Sequence, residues 1–163
     1  MKELVVISGK GGTGKSTVVA SLSQLVKNKI MADCDVDAPN LHILLQGDTI
    51  KKEDYFGAKE AVIDKDVCVS CGLCRETCRF DAISADYEVK PMKCEGCGAC
   101  LLVCPTDAIS LIDVKTGQTY VDNTKQGTFS HALLDTGAEG SGRLVTEVKK
   151  TWEHLLKTKN GHL

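Results

Sequence analysis

The stretches CVSCGLCRETCRFDAIS, residues 68–84, and CEGCGACLLVCPTDAIS, residues 94–110, are near copies of each other. A shift of 26 positions places every cysteine of the first on a cysteine of the second. A repeat this short cannot bury a core alone, so its two halves must pack together. The sequence therefore predicts one compact domain at residues 63–113, built from two similar halves.

Both halves carry the spacing C-x2-C-x2-C-x3-C, by which thiolates hold cubane iron–sulfur clusters. In this arrangement three cysteines of one half ligate a cluster, and the fourth reaches the cluster of the other half. The spacing therefore predicts two [4Fe-4S] clusters with crossed ligands. Cluster one takes Cys68, Cys71, Cys74 and Cys104, and cluster two takes Cys78, Cys94, Cys97 and Cys100.

The doubled pattern resembles that of the bacterial two-cluster ferredoxins, which implies an α+β ferredoxin-like domain. One position departs from that family: Pro105 follows Cys104 as expected, but Arg79 follows Cys78. Because proline shapes the turn and has no N–H donor, we expect a small difference in geometry there. The alternative is a pair of structural zinc sites, since four cysteines can bind zinc tetrahedrally. Zinc sites, however, seldom place three cysteines in one C-x2-C-x2-C run.

Composition narrows the class of protein. Nine cysteines without an export signal favour metal or cluster ligation in the reducing cytoplasm over disulfides. A net charge of -2, without long runs of one sign, gives no reason to expect binding to nucleic acid or a membrane surface. The apolar runs fall short of the ~20 residues that cross a bilayer. Cys34 lies outside the repeat, and we expect it to be a small buried hydrophobe.

The segments on either side of the repeat have an α/β pattern. Before it, an apolar strand at Leu4–Ile7, a glycine-rich turn, an amphipathic helix and a strand near Lys29–Ala32 predict the start of a parallel sheet. After it, residues 117–142 predict at most one or two short strands. An apolar stripe that includes Leu144, Val148 and Trp152 then predicts a helix from Ser141 to Asn160.

A phosphate-binding loop connects the first predicted strand to the first helix. Residues 9–16 fit G-x-x-x-x-G-K-[ST], in which backbone N–H groups and the helix N-terminus bind phosphate. Lys15 would contact the β and γ phosphates of ATP, and Ser16 would ligate Mg2+. The predicted nucleotide-binding residues are Gly9, Lys10, Gly11, Gly12, Thr13, Gly14, Lys15, Ser16 and Thr17.

With Lys10, the loop resembles the deviant Walker A motif of the MinD, ParA and nitrogenase iron protein superfamily. The resemblance implies a dimer with ATP between the subunits, in which Lys10 contacts the partner's nucleotide and Lys15 its own. It also implies that the acidic part of the segment ADCDVDAPNLHILL, residues 32–45, forms switch I, with Asp35 as the best candidate to orient water or contact Mg2+. Asp33 and Asp37 are open to a second interpretation, as turn or helix-capping residues.

Most of the chain is similar to MinD-superfamily P-loop ATPases that contain an inserted ferredoxin domain. The resemblance implies that residues 1–62 and 114–163 form a P-loop domain around the insert. No aspartate lies beyond Asp135, so we expect this P-loop domain to lack the Walker B acid and switch II. We therefore expect little hydrolysis by the chain alone, and either a homodimer or a complementing partner chain.

Two functions are open at this point. The first is an ATP-binding iron–sulfur protein that passes electrons through its clusters to a redox partner protein, gated by nucleotide-dependent dimerisation. The alternative is a non-hydrolysing ferredoxin or cluster carrier in which the nucleotide is structural. A role in DNA partitioning or membrane positioning has no support, because no basic patch or membrane-targeting helix is present.

Overall fold

The computed structural model describes residues 3–9, 12–35, 38–138 and 142–160, with side chains as far as residue 151. No helix in these ranges has the length and apolar character needed to cross a membrane. In chain order, the elements are α1 (Lys15–Leu25), β1 (Ile30–Ala32), α2 (Leu41–Leu45), β2 (Gly47–Ile63), α3 (Leu73–Thr77), a 3₁₀ helix (Pro91–Lys93), α4 (Ala99–Leu102), β3 (Ile109–Thr124), β4 (Gly127–Leu134) and α5 (Gly142–Asn160).

The chain divides into two compact units, which we describe separately. The sheet unit comprises Met1–Tyr55 and Gly117–Leu163, and the cysteine unit comprises Phe56–Thr116. Strands β2 and β3 are long enough to contribute residues to both units.

The strands form a mixed sheet in the order β1-β4-β3-β2. Strand β1 pairs in parallel with β4, so that Ile30 lies opposite Thr128. Strands β3 and β4 are antiparallel neighbours, with Val121 opposite Ser130. The structure is therefore mixed α/β, and of these two pairings only β1–β4 has the predicted parallel direction.

Helices cover both faces of β4 in the sheet unit. On one face, Phe129 is fully buried in a cluster with Met31 of β1 and with α2, and Val19 of α1 packs against this cluster. On the other face, Ala132 packs with Leu144 and Val148 of α5. The alternation of side chains along a strand explains this division, because residues 129 and 132 lie on opposite faces.

Three of the predicted elements are present. Helix α1 starts directly after Gly14, β1 occupies the predicted position near residues 29–32, and α5 covers the predicted range. The apolar stripe of α5 is buried where the structure describes it, at Leu144 and Val148. The part of the stripe around Trp152 lies outside the described side chains.

The predicted strand at Leu4–Ile7 is wrong. These residues have no strand hydrogen bonding, and Leu4, Val5 and Ile7 are 73%, 68% and 85% exposed. A strand needs a neighbour that satisfies its backbone N–H and C=O groups. None of the described strands runs beside this segment, so its apolar pattern alone does not produce a strand.

The prediction for residues 117–142 has the right number of strands, since two are present, but the strands are longer than expected. β3 has 16 residues and β4 has eight, joined only by Lys125 and Gln126. The strands have no clear apolar pattern in the sequence, because several of their buried residues are polar: Thr119, Asp122, Thr124, Thr128, Ser130 and His131. The sequence analysis also missed β2, whose residues are mostly exposed and lack an apolar face.

A buried histidine lies at the centre of the sheet unit. The His131 side chain is 4% exposed, and Nε2 lies 2.8 Å from Asp122 Oδ2. The Thr49 hydroxyl donates to the other oxygen of Asp122 at 2.8 Å. The His131 ring stacks between neighbours that include Tyr120 and His42. Burial lowers the pKa of His131 below its ordinary value of 6.5, although Asp122 acts in the opposite direction.

The lowered pKa of His131 predicts that stability falls below about pH 6.5. There the unfolded chain binds a proton that the folded chain does not, so the free energy of unfolding decreases by up to ~1.4 kcal/mol per pH unit. Urea unfolding between pH 7.5 and 5 measures this slope. We expect His131→Gln to be less stable at pH 7.5 but to show a flatter pH dependence. Equal slopes in both proteins would contradict this role for His131.

Candidate functional site

The cysteine unit shows the sequence repeat in its backbone. Helix α3 begins after Gly72 and α4 after Gly98, and both glycines have positive φ, at 86° and 76°. Asp81 and Asp107, also 26 residues apart, have φ of 50° and 51°. Left-handed φ values are uncommon in residues other than glycine, so their recurrence shows that the two halves share one local fold.

The two halves pack on each other around a small apolar core. Cys74, Ile83 and Ile109 are buried there together with Ala61 of β2. The first half contributes Cys74 and Ile83, and the second contributes Ile109. Each half therefore completes the core of the other, as expected for a repeat of this length.

The first cavity of the cysteine unit is a small pocket that is partly open to solvent. Its wall includes Tyr87, whose hydroxyl donates to the Ser70 carbonyl at 2.6 Å, and Thr106. The sequence analysis missed both residues, because neither belongs to the cysteine pattern. The cysteines in the wall are Cys68, Cys71, Cys74 and Cys104.

The second cavity is also partly open to solvent and lies among the other four cysteines. Phe80 and Glu95 contribute to its wall. The cysteines are Cys78, Cys94, Cys97 and Cys100. The structure thus brings together the two crossed sets, each with three cysteines from one half and one from the other.

Several thiols receive hydrogen bonds from the backbone. The N–H of Ala108 donates to Cys104 Sγ at 3.3 Å, and the N–H of Ala61 donates to Cys94 Sγ at 3.5 Å. These N–H groups stabilise thiolates, the form of cysteine that binds metal. Backbone N–H donation, chiefly from Thr106, lowers the pKa of Cys104.

Two thiols on the short helices have the opposite tendency. Burial raises the pKa of Cys74 and of Cys100, and neighbouring cysteines raise it further. Four thiolates around one cavity repel one another unless a cation neutralises them. The donor set of four thiols and accompanying N–H groups fits a [4Fe-4S] cluster. Among the described residues, no three His, Cys, Asp or Glu side chains have an arrangement that would hold a single metal ion.

In the sheet unit, the predicted phosphate loop turns through glycines into α1. Gly12 and Gly14 have φ of 81° and 83°, a conformation that glycine adopts without strain. Lys15, the first residue of α1, extends to the segment after β1, where its Nζ lies 2.5 Å from Asp35 Oδ2. The hydrogen bond from Lys15 lowers the pKa of Asp35.

A second hydrogen bond connects the start of α1 with the segment that follows β1. The Ser16 hydroxyl donates to Asn40 Oδ1 at 2.6 Å. Asp33 accepts the N–H of Asp35 at 3.1 Å and the N–H of Leu41 at 3.3 Å, which fits the turn and capping interpretation of this residue. Asn40 was missed because an isolated asparagine next to a proline is typical of an ordinary turn.

The remaining predicted residues have simpler positions. Gly9 and Thr17 are exposed, and Thr13 lies in the described part of the loop with its side chain exposed. Lys10, Gly11 and Asp37 lie outside the described residues. Cys34 is exposed, which corrects the expectation of a buried side chain. It follows β1, which is an edge strand among the strands that the structure describes.

Comparison with known proteins matches residues 61–111 to the family of 4Fe-4S dicluster domains. Over 154 residues the chain is 40% identical to the uncharacterized protein MJ0578 of Methanocaldococcus jannaschii, covering 90% of this chain and 53% of that protein. Over 70 residues it is 40% identical to the uncharacterized protein MJ0579 of the same organism, covering 39% of this chain and 24% of that protein. The chain thus spans about half the length of the first relative and a quarter of the second. The family match and the gathered cysteines show that the chain contains an iron–sulfur, ferredoxin-like domain that binds a 4Fe-4S cluster.

Proposed function

We propose that this chain is an ATP-binding iron–sulfur protein that transfers electrons through two [4Fe-4S] clusters. The observation that supports the proposal best is the crossed set of four cysteines around each of two cavities. A 4Fe-4S dicluster domain suggests iron–sulfur electron transfer. Cys68, Cys71, Cys74 and Cys104 would hold the first cluster, and Cys78, Cys94, Cys97 and Cys100 would hold the second.

Each bound cluster would supply one-electron redox chemistry at near-constant geometry. The chain's part is to provide thiolates and to direct N–H donors at Cys94 and Cys104. Cys71 and Cys97 are exposed, so each site has one sulfur at the surface of the unit. These exposed thiolates would be the points of approach for a redox partner protein.

The proposal that the chain binds ATP is supported by two hydrogen bonds between the start of α1 and the segment after β1. Lys15 and Asp35 lie in hydrogen-bonding distance, as do Ser16 and Asn40. A phosphate group would compete with the Asp35 carboxylate for the Lys15 ammonium, since both are anions. Asp35 would then be released to contact Mg2+ together with the Ser16 hydroxyl.

Nucleotide binding would in this way change the segment that leads to the cysteine unit. From Asp35 the chain continues through α2 into β2, and Cys68 follows soon after β2 ends. We propose that release of Asp35 alters this segment and thereby gates electron transfer, with Lys10 completing the site across a homodimer or with a complementing chain. Nine unpaired cysteines are consistent with a reducing compartment such as the cytoplasm.

Replacement of Lys15 tests the nucleotide part of the function. We expect Lys15→Ala to bind MgATP about 10- to 150-fold more weakly in calorimetry, because a charged hydrogen bond contributes ~1.5–3 kcal/mol. The visible absorption of the iron–sulfur protein should be unchanged. MgATP should alter the rate at which the dithionite-reduced wild type passes electrons to a one-electron acceptor, and this effect should be absent in the variant.

The matched control is Lys27→Ala, which removes an exposed lysine just beyond α1. It should bind MgATP as the wild type does. A wild-type chain that does not bind MgATP would refute the nucleotide part. A chain that binds MgATP with no change in electron transfer would refute the gating and favour a structural nucleotide.

A further inference from the structure

The two cavities differ at one matched position. Thr106 stands two residues after Cys104 in the first cavity, and Phe80 stands two residues after Cys78 in the second. The repeat aligns these positions with each other, so they have the same place relative to the shared cysteine. One side chain carries a hydroxyl and the other carries no polar atom.

The Thr106 hydroxyl contacts the ligand sulfur itself. Its Oγ1 lies 3.8 Å from Cys104 Sγ, within the longer range of hydrogen bonds to sulfur. A thiolate has no proton to donate, so the hydroxyl is the donor when Cys104 binds metal. The hydroxyl adds a side-chain donor to the two backbone N–H donors of Cys104, which come from Thr106 and from Ala108 at 3.3 Å.

Backbone N–H groups donate to sulfur in both cavities. In the first, Cys104 accepts from Ala108 and from the N–H of Thr106, and in the second Cys94 accepts from Ala61. The N–H of Thr106 remains in any side-chain variant, so a substitution there tests the hydroxyl alone. The hydroxyl of Thr106 has no counterpart at Phe80. Acidic side chains stand near both cavities, Glu95 in the wall of the second and Asp107 beside Cys104 in the first, so negative charge does not distinguish them.

We propose that Thr106 makes the cluster held with Cys104 easier to reduce than the cluster held with Cys78, so that electrons collect at the Cys104 site. A donor to a thiolate withdraws negative charge from the cluster and stabilises its reduced form. One electron passes from [4Fe-4S]+ at the Cys78 site to [4Fe-4S]2+ at the Cys104 site, with no bond made or broken and no proton moved. The electron comes from a reduced one-electron donor, which dithionite replaces in the test. This inference rests on the proposed function.

The test is a reductive titration with dithionite, followed by the electron paramagnetic resonance of the reduced clusters. The wild type should show two reduction potentials. Thr106→Val keeps the shape of the side chain and removes the donor. It should lower the higher of the two potentials by about 59 mV, which corresponds to a tenfold change in the equilibrium constant for one electron. The lower potential should be unchanged. Thr106→Ser keeps the hydroxyl and should retain the wild-type values.

The possible failures are distinguishable. A wild-type chain without any reducible [4Fe-4S] cluster would overturn the proposed function and this inference with it. Two reducible clusters whose potentials do not respond to Thr106→Val would overturn this inference alone. The same holds if Thr106→Ser shifts the potential as far as Thr106→Val does, because the effect would then be one of packing.

Discussion

A variant that lacks both Cys71 and Cys104 is expected to keep one cluster, whereas a variant that lacks both Cys71 and Cys78 is expected to lose both. Cys71 and Cys104 line the same cavity, although they belong to different halves of the repeat. Cys78 belongs to the half that contains Cys71 but lines the other cavity. If the cysteines of one cavity hold a cluster, Cys71 and Cys104 belong to the same cluster. If the cysteines of one half held it, Cys71 and Cys78 would belong to the same cluster, and the two double variants would give the opposite results.

The measurement is iron per chain after anaerobic reconstitution, together with absorption near 400 nm. Two [4Fe-4S] clusters carry about eight iron atoms. We expect about four in Cys71→Ala/Cys104→Ala and close to none in Cys71→Ala/Cys78→Ala. The two double variants remove equal numbers of thiols, so each is the control of the other. The reverse pattern would show that each half ligates its own cluster.

Replacing Gly96 by alanine should be among the most damaging single changes in the cysteine unit. A Cβ at this position would lie 2.3 Å from the backbone oxygen of Lys59, and φ is +58°. The repeat partner Ser70 has φ of 55° and is not glycine, so backbone conformation alone does not demand glycine here. Glycine is required because the backbone of β2 at Lys59 leaves no room for a Cβ.

Gly72→Ala distinguishes the cost of the left-handed backbone conformation from the cost of the close contact with Lys59. Its φ is +86°, but a Cβ there meets nothing within 4 Å, so it has only the conformational cost of ~1–2 kcal/mol. Gly96→Ala adds overpacking against a backbone atom, typically ~1–3 kcal/mol, for a total near ~2–5 kcal/mol. Urea unfolding of the reconstituted proteins compares them. If both variants lose the same stability, the approach to Lys59 is unimportant.

The cysteine sites were the most predictable part of the molecule. Ligand spacing is a local property of the sequence, and a repeat with one shared cysteine specifies which thiols meet. The crossed sets around the two cavities depend on that spacing and on the packing of the halves. Thr106 could have been noticed from the same alignment, because it is a polar residue opposite Phe80, but the alignment does not show that its hydroxyl points at sulfur.

The sheet was less predictable because pairing is not local. Leu4–Ile7 has a strand-like sequence yet no partner among the described strands, whereas β4 places Ser130 and His131 in the interior. Both residues have a polar contact in the fold: the Ser130 hydroxyl donates to the Val148 carbonyl at 3.5 Å, and Nε2 of His131 contacts Asp122, although Nδ1 of His131 has no partner among the described residues. Neither contact is visible in a sequence, since each partner is 9 or 18 residues away.

The crossed cysteines also affect how the protein is made. Three of the four cysteines that line the first cavity have been synthesised once translation passes Cys74, but the fourth is Cys104. The second cavity becomes complete at Cys100, only four residues earlier. At ~5–20 residues per second, both sites are finished within about a second of each other. A nascent chain that ends between the halves has neither cavity complete, so the two proposed clusters could be inserted only after the second half has been translated.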